Sequence, residues 1–208
     1  MSPASESIAN VHEGALVRRL LAGAHWVSRV FGLYGIPHGA RLFPEESLAG
    51  LGQGDVDVLA VVPNYPEFAT AIQIKRVKVS SSTFVTGAPN GLRALAELIE
   101  QSNRLVRLAF SQVFAFSFIV VDSRAENGDA ISYSGLTPSL RSVINSATDL
   151  GALLPTAGFV QYEFIQPMDS PPLGEGAYFC RPLRPAQTVA QAPAVTKWVA
   201  NVLARHDA

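Results

Sequence analysis

Apolar and polar positions along this chain predict helices near both ends and strands in between. Near the N-terminus, apolar residues recur at helical spacing, so we expect one helix that begins near Ser2-Pro3 and ends before Gly32. Its apolar stripe consists of Leu16, Val17, Leu20, Leu21, Ala24, Val27 and Phe31. The next segment, 35–54, is rich in glycine and is predicted to be mainly loop.

Two runs rich in β-branched residues follow and predict neighbouring strands at 56–62 and 68–79, separated by a proline-containing turn. The other predicted elements are a polar loop at 80–89, helices at 91–109, 138–150 and 193–206, strands at 113–122 and 158–165, and a proline-rich segment that wraps over the surface at 167–185. This order of elements predicts an α/β sandwich around a mixed sheet.

Composition favours one domain with a large buried core, since 48% of the 208 residues are hydrophobic and 16% are charged. We therefore expect a single domain over 1–208, with a core of about 10–165 and a C-terminal extension with a helix at about 166–208. Cys180 is the one cysteine in the sequence, which excludes an intramolecular disulfide and a cysteine-rich zinc site.

The expected location is the cytoplasm, with no membrane partner. The first residues include acidic side chains and lack the apolar stretch of a signal peptide. No apolar run approaches the roughly 18 residues that a membrane span needs. The net charge of −1 means that binding to nucleic acid requires a local basic face.

Three polar side chains within the two neighbouring strands need a physical explanation. Asp57 lies in the first strand, and Gln73 and Lys75 lie in the second, about 7 Å apart on one face. Burying charged groups among apolar neighbours costs several kcal/mol unless they meet a partner or a metal. One interpretation is an Asp57–Lys75 ion pair that only fixes the strands relative to each other.

Phosphodiester hydrolysis is the functional alternative. Asp57 is a hard oxygen ligand suited to Mg²⁺, and the amide oxygen of Gln73 is a neutral second ligand. Lys75 would orient or deprotonate the attacking water, or stabilise negative charge in the transition state. The sequence does not separate these roles. Asp55, two residues before Asp57, is an auxiliary candidate ligand.

Glu13 adds a carboxylate from the first predicted helix. At about 100° per residue it falls in the middle of the apolar stripe, so its side chain is expected to point inward, toward the same metal. The alternative is a surface acid at the start of the helix.

These residues resemble the motifs of the PD-(D/E)xK nucleases, and especially of the Mrr-like restriction endonucleases that use QxK. The matching runs are GDVDVLAVV, which contains Asp57, and AIQIKRVKV, which contains Gln73, Lys75 and Arg76. Glu13, followed by Leu20-Leu21, matches the first helix of that family. The resemblance covers about 10–122 and implies an αβββαβ core and Mg²⁺-dependent cleavage of DNA, with Mn²⁺ as an alternative metal.

The nearby basic residues are the candidates for contacts with phosphates: Arg18, Arg19, Arg41, Arg76 and Lys78. A solvated helix face explains the first two equally well. Two other functions stay open, namely an RNA-directed nuclease and an inactive module of nuclease fold that binds nucleic acid or a protein. Since many nucleases of this class cut two strands as dimers, a homodimer is also open.

Overall fold

The computed structural model describes residues 7–32, 36–37, 39–52, 54–123, 135–166, 172–174 and 178–207. The strands within these residues are β1 (Arg41–Ser47), β2 (Asp55–Val61), β3 (Thr70–Val79), β4 (Gln112–Asp122), β5 (Gly158–Gln166) and β6 (Tyr178–Arg184). The helices are α1 (Glu13–Ala22), α2 (Ala24–Trp26, continued by a π-helix at Val27–Phe31), α3 (Ser81–Thr86), α4 (Arg93–Arg107), α5 (Pro138–Ser146) and α6 (Pro193–Asp207).

One mixed sheet contains the strands in the order β1-β2-β3-β4-β5-β6. The β1–β2, β2–β3 and β5–β6 pairs are antiparallel, whereas β3–β4 and β4–β5 are parallel. Parallel neighbours require a crossover connection, and α4 lies in the connection from β3 to β4. The structure confirms the predicted α/β fold class, and α1, β1, β2, β3, α4 and β4 follow in αβββαβ order.

Alternating side chains give the sheet two apolar faces. Ile72 and Ile74 of β3 pack in the same cluster as Leu16 and Leu20 of α1. Ala71 of β3 packs on the opposite face, in a cluster that includes residues of α4 and α6. The α1 helix therefore covers one face, close to the start of β2 and the middle of β3.

Both edge strands were missed by the sequence pattern. The predicted loop at 35–54 contains β1, and the segment predicted to wrap over the surface at 167–185 contains β6. Pro44 lies in β1 and Pro182 lies in β6, and proline usually argues against a strand because it cannot donate to the ladder. An edge strand tolerates proline because one of its sides has no neighbouring strand.

The first helix is shorter than predicted. Residues 1–6, including Ser2-Pro3, lie outside the described residues, and α1 begins at Glu13. It ends before Gly23, whose backbone is extended, and the chain then resumes as α2 and the π-helix. The predicted polar loop at 80–89 contains α3, which begins with a capping box formed by Ser80 and Thr83.

Among the described residues, no helix is long and apolar enough to cross a membrane.

Candidate active site

The candidate site lies where β2 and β3 stop pairing. The antiparallel register runs from Ala60↔Thr70 to Val58↔Ile72. Both strands continue beyond this point, β2 back to Asp55 and β3 onward to Val79. The backbone groups of β3 past Ile72 on the side of β2 therefore need other partners, because buried N–H groups are rarely left unpaired.

Three alternate N–H groups of β3 find these partners in three different segments. The N–H of Ile74 donates to Oδ2 of Asp57 at 2.6 Å, and the N–H of Arg76 donates to Oε2 of Glu13 at 2.7 Å. The N–H of Lys78 donates to the carbonyl of Asn90 at 2.8 Å. The edge of β3 thus holds a carboxylate from β2 and a carboxylate from α1 two residues apart.

Lys75 pairs with Glu13 at the edge of β3, beyond the part that pairs with β2. Its Nζ lies 3.4 Å from Oε1 of Glu13, and the two side chains are 17% and 26% exposed. The second oxygen of the Glu13 carboxylate is the one that binds Arg76. The interior ion pair considered from the sequence, between Asp57 and Lys75, is therefore replaced by a half-buried pair between Lys75 and Glu13.

Of the two polar atoms of the Gln73 carboxamide, one has a hydrogen-bond partner among the described residues and the other has none. Its Nε2 donates to the carbonyl of Asp55 at 2.7 Å, which orients the carboxamide. Its Oε1 is buried and has no hydrogen-bond partner among the described residues. Leaving a buried acceptor unpaired costs about 1–3 kcal/mol. This oxygen is therefore suited to a ligand that supplies positive charge or a donor.

The surroundings of Asp57 disfavour its charged form. Burial raises its pKa from 3.8 to about 6, while the N–H of Ile74 and the ammonium of Lys75 act in the opposite direction. The nearby carboxylates of Glu13 and Asp55 raise the pKa further. A bound cation would offset this penalty, since it favours the carboxylate.

The donor atoms fit a hard divalent cation. Oδ1 of Asp57 and Oε1 of Gln73 are oxygens of the kind that Mg²⁺ prefers, and the carboxylate of Glu13 is close enough to raise the pKa of Asp57. Within the described residues, no group of three His, Cys, Asp or Glu side chains is arranged to hold a metal. A cation here would therefore depend on the amide oxygen of Gln73 as well as on carboxylates.

The basic candidates divide between the site and its surroundings. Arg76 and Lys78 lie on β3 itself, and burial lowers the pKa of Arg76. Arg18 and Arg19 lie on α1, and both are exposed. Arg18 pairs with Glu45 at 2.8 Å.

Arg41 is not brought to this site. It pairs with Val61 in the β1–β2 register, whereas Asp57 lies near the other end of β2. Its guanidinium pairs with Asp207 at the end of α6 and lies over the ring of Phe43. These contacts fix Arg41 to the C-terminal helix.

A small cavity of about 50 Å³ beside Gln73 was not anticipated from the sequence. Its polar lining residues are Asp55, Gln73, Gln101 and Arg104. The helical pattern of α4 places Arg104 on the outer side of the helix, where it is indeed exposed. The sequence signal for a role was the i,i+3 spacing of Gln101 and Arg104, which puts both on one side of α4.

Comparisons with known proteins give distant structural likenesses, and two of them are the following. No family model matches this chain, and no curated protein matches it. A protein of unknown function from Silicibacter pomeroyi is similar with a TM-score of 0.39 and 19% identity, over 95% of this chain and 88% of that one.

SfsA from Pyrococcus furiosus, in complex with Ca²⁺, is similar with a TM-score of 0.32 and 14% identity. That match covers 82% of this chain and 65% of SfsA. Likenesses of this size assign neither a family nor an activity to this chain.

Proposed function

We propose that this chain is a metal-dependent nuclease that hydrolyses phosphodiester bonds in DNA. The observation that supports it best is the convergence of Glu13, Asp57, Gln73 and Lys75 at the open edge of β3, where Oε1 of Gln73 is buried without a partner among the described residues. The resemblance of the QxK motif to PD-(D/E)xK nucleases supports DNA as the substrate.

Asp57 and Gln73 would hold the cation, Mg²⁺ or Mn²⁺, with Glu13 beside them. When bound, it polarises the phosphate and lowers the pKa of a water molecule. One oxygen of the Asp57 carboxylate accepts a hydrogen bond from the N–H of Ile74, so the carboxylate is oriented before any ligand arrives. Gln73 is oriented in the same way by the carbonyl of Asp55.

Lys75 supplies positive charge next to this pair. Its ammonium would stabilise the negative charge that develops on the phosphate, or orient the attacking water. Glu13 keeps the ammonium in place through the contact of 3.4 Å. Because the pair is partly exposed, an incoming phosphate can compete with Glu13 for the same ammonium.

A binding module without turnover is the second candidate. It is favoured by Gln73, which puts a neutral amide where an acid is commoner, and by the lack of a three-ligand acidic or histidine group among the described residues. A site with less negative charge holds Mg²⁺ less tightly. Under this alternative the same basic residues would bind nucleic acid without cleaving it.

The first test is nicking of a supercoiled plasmid. Nicked or linear DNA should form with Mg²⁺ or Mn²⁺ and not with EDTA, and Asp57→Asn should lower the rate at least about a hundredfold. Asp207→Asn, at an exposed position at the end of α6, is the matched control and should cut at the wild-type rate. Since burial disfavours the charge of Asp57, its replacement by Asn should not unfold the protein.

Three other results would lead elsewhere. Binding of the plasmid without cutting in either metal would favour the binding module. Cleavage of a structured RNA under conditions that leave the plasmid intact would make RNA the substrate. Cutting that persists in Asp57→Asn would remove this site from the reaction.

A further inference from the structure

The cavity beside Gln73 has the size and the lining of a site for one small polar group. A water molecule needs roughly 10–15 Å³ of cavity volume, so about 50 Å³ accommodates a few oxygen atoms and not a base. Leu48 and Leu105 form the apolar part of the wall, and Gln101 and Arg104 project donors from α4. Among the described residues that line the cavity, Arg104 is the one cation.

Gly54 allows the guanidinium of Arg104 to lie against the start of β2. A Cβ atom at Gly54 would lie 3.0 Å from Nη1 of Arg104, and the φ angle of +109° also favours glycine. Asp55 follows directly, and its carbonyl accepts the hydrogen bond from Gln73. Arg104 therefore lies against the residue that precedes Asp55, and Asp55 in turn binds Gln73.

The helix α4 is fixed against the sheet by its buried side chains. Leu98, Ile99 and Leu105 of α4 are buried against the sheet, so the helix that carries Gln101 and Arg104 has a fixed position relative to β2 and β3. A planar guanidinium that projects from such a helix suits bidentate recognition of a phosphate. The side-chain amide of Gln101 supplies a neutral donor beside it.

We infer that Gln101 and Arg104 bind a backbone phosphate of the nucleic acid next to the phosphate that is cleaved. This rests on the proposed function for the identity of the neighbouring site. Asp55 is the acid among the described lining residues, and its charge opposes an anion, as does the acceptor Oε1 of Gln73 if it faces the cavity side. The contribution of Arg104 is therefore partly offset in the wild-type protein, and Asp55→Asn should tighten binding.

The test measures binding and not cleavage. Fluorescence anisotropy of a labelled DNA duplex in EDTA, over a series of salt concentrations, should show about threefold to tenfold weaker binding for Arg104→Ala. The slope of log K against log salt should fall by about one phosphate contact. Arg104→Lys should recover part of the affinity, because it keeps the charge and loses the bidentate geometry.

Arg107→Ala is the matched control, since Arg107 is an exposed arginine of the same helix that does not line the cavity. It should leave affinity and salt slope near the wild-type values. Gln101→Glu provides a second variant that adds a repelling charge and should weaken binding more than Gln101→Ala does. Thermal melts verify that each variant is folded.

The outcomes separate this inference from the proposed function. Equal affinity and slope for Arg104→Ala, Arg107→Ala and wild type would overturn the phosphate site, even if the wild type nicks plasmid. Weaker binding by Arg104→Ala, from a protein that never cuts DNA, would support the phosphate site and leave the nuclease without support. A wild type that does not bind the duplex in EDTA would overturn the phosphate site, and nicking of plasmid with Mg²⁺ or Mn²⁺ would still decide the nuclease.

Discussion

Among the single residues, Asp57 is subject to two opposing effects, since cation binding favours its charged form and burial disfavours it. It must be charged to hold a cation, yet its burial makes the charge costly, and its pKa rises from 3.8 to about 6. The hydrogen bond from Ile74 reduces that cost without removing it. Metal affinity and proton affinity at this residue are therefore coupled.

The coupling predicts a pH dependence with a definite sign. Below pH 6 protons compete with the metal at Asp57, so Mn²⁺ should bind roughly tenfold more weakly at pH 5 than at pH 7. Because the folded pKa exceeds the unfolded one, Asp57 makes the metal-free protein more stable as the pH falls from about 6 toward 4.

Calorimetric titrations of Mn²⁺ at pH 5, 6 and 7, paired with urea denaturation of the metal-free protein, check both statements. Asp57→Asn should abolish Mn²⁺ binding and remove the rise in stability between pH 6 and pH 4 that Asp57 causes. Equal affinity at pH 5 and pH 7 would show that Asp57 is not a ligand.

Among the secondary-structure elements, the turn before α4 binds the part of β3 that has no neighbouring strand on the β2 side. Its backbone adds to the side-chain hydrogen bonds from Asp57 and Glu13. Gly91 lies in that turn with a φ angle of +91°, and a Cβ atom there would lie 2.7 Å from the carbonyl oxygen of Arg76. The neighbouring Asn90 bonds Lys78 in both directions. The close approach of these two backbones requires glycine at this position.

Gly91→Ala should therefore destabilise the protein by about 2–4 kcal/mol, since strain at positive φ adds to a clash with backbone. Gly87→Ala is the control, because Gly87 has a φ angle of +68° and open space around its Cα. It should cost only about 1 kcal/mol. Urea denaturation measures both, and equal losses would mean that the contact with β3 does not matter.

The elements also show which parts of the fold were readable from the sequence. The central strands and α4 follow from apolar periodicity, because both faces of the sheet are buried there. The edge strands β1 and β6 were not predicted because the segment of β1 is rich in glycine, that of β6 is rich in proline, and each strand contains a proline. The start of α1 at Glu13 was not predicted because helical spacing does not mark where a helix begins.

At the scale of the whole molecule, the chain folds its C-terminal part into the same core as its N-terminal part. Trp198 and Val199 of α6 pack in one cluster with residues of β2, β3 and α4. Arg205 and His206 pair with the buried Glu46 of β1. These long-range contacts join segments that no local pattern connects, so residue spacing alone assigns no role to 123–208.

The candidate site was easier to anticipate than its contacts. Polar residues within apolar strands marked Asp57, Gln73 and Lys75, and the helical stripe marked Glu13. Three features depend on how α1 and α4 pack on the sheet: the partner of Lys75, the cavity with Arg104, and the Gln73 oxygen that has no partner in the described part of the chain. That packing is a three-dimensional property, so residue spacing does not determine it.

The most direct test of a catalytic site is the cleavage rate of Lys75→Ala, measured together with its thermal melt. Loss of one transition-state contact costs on the order of a hundredfold to a thousandfold in rate. The Lys75–Glu13 pair is mostly buried, but Glu13 keeps its hydrogen bond to the N–H of Arg76 when Lys75 is lost, so the cost in stability is about 1–2 kcal/mol. We therefore predict a rate of plasmid nicking lower by that factor and a melting temperature lower by only a few degrees. Lys197→Ala, at an exposed position on α6, should match the wild type in both. Nicking by Lys75→Ala at the wild-type rate would contradict the account, as would a large fall in its melting temperature in a protein whose wild type never cuts DNA.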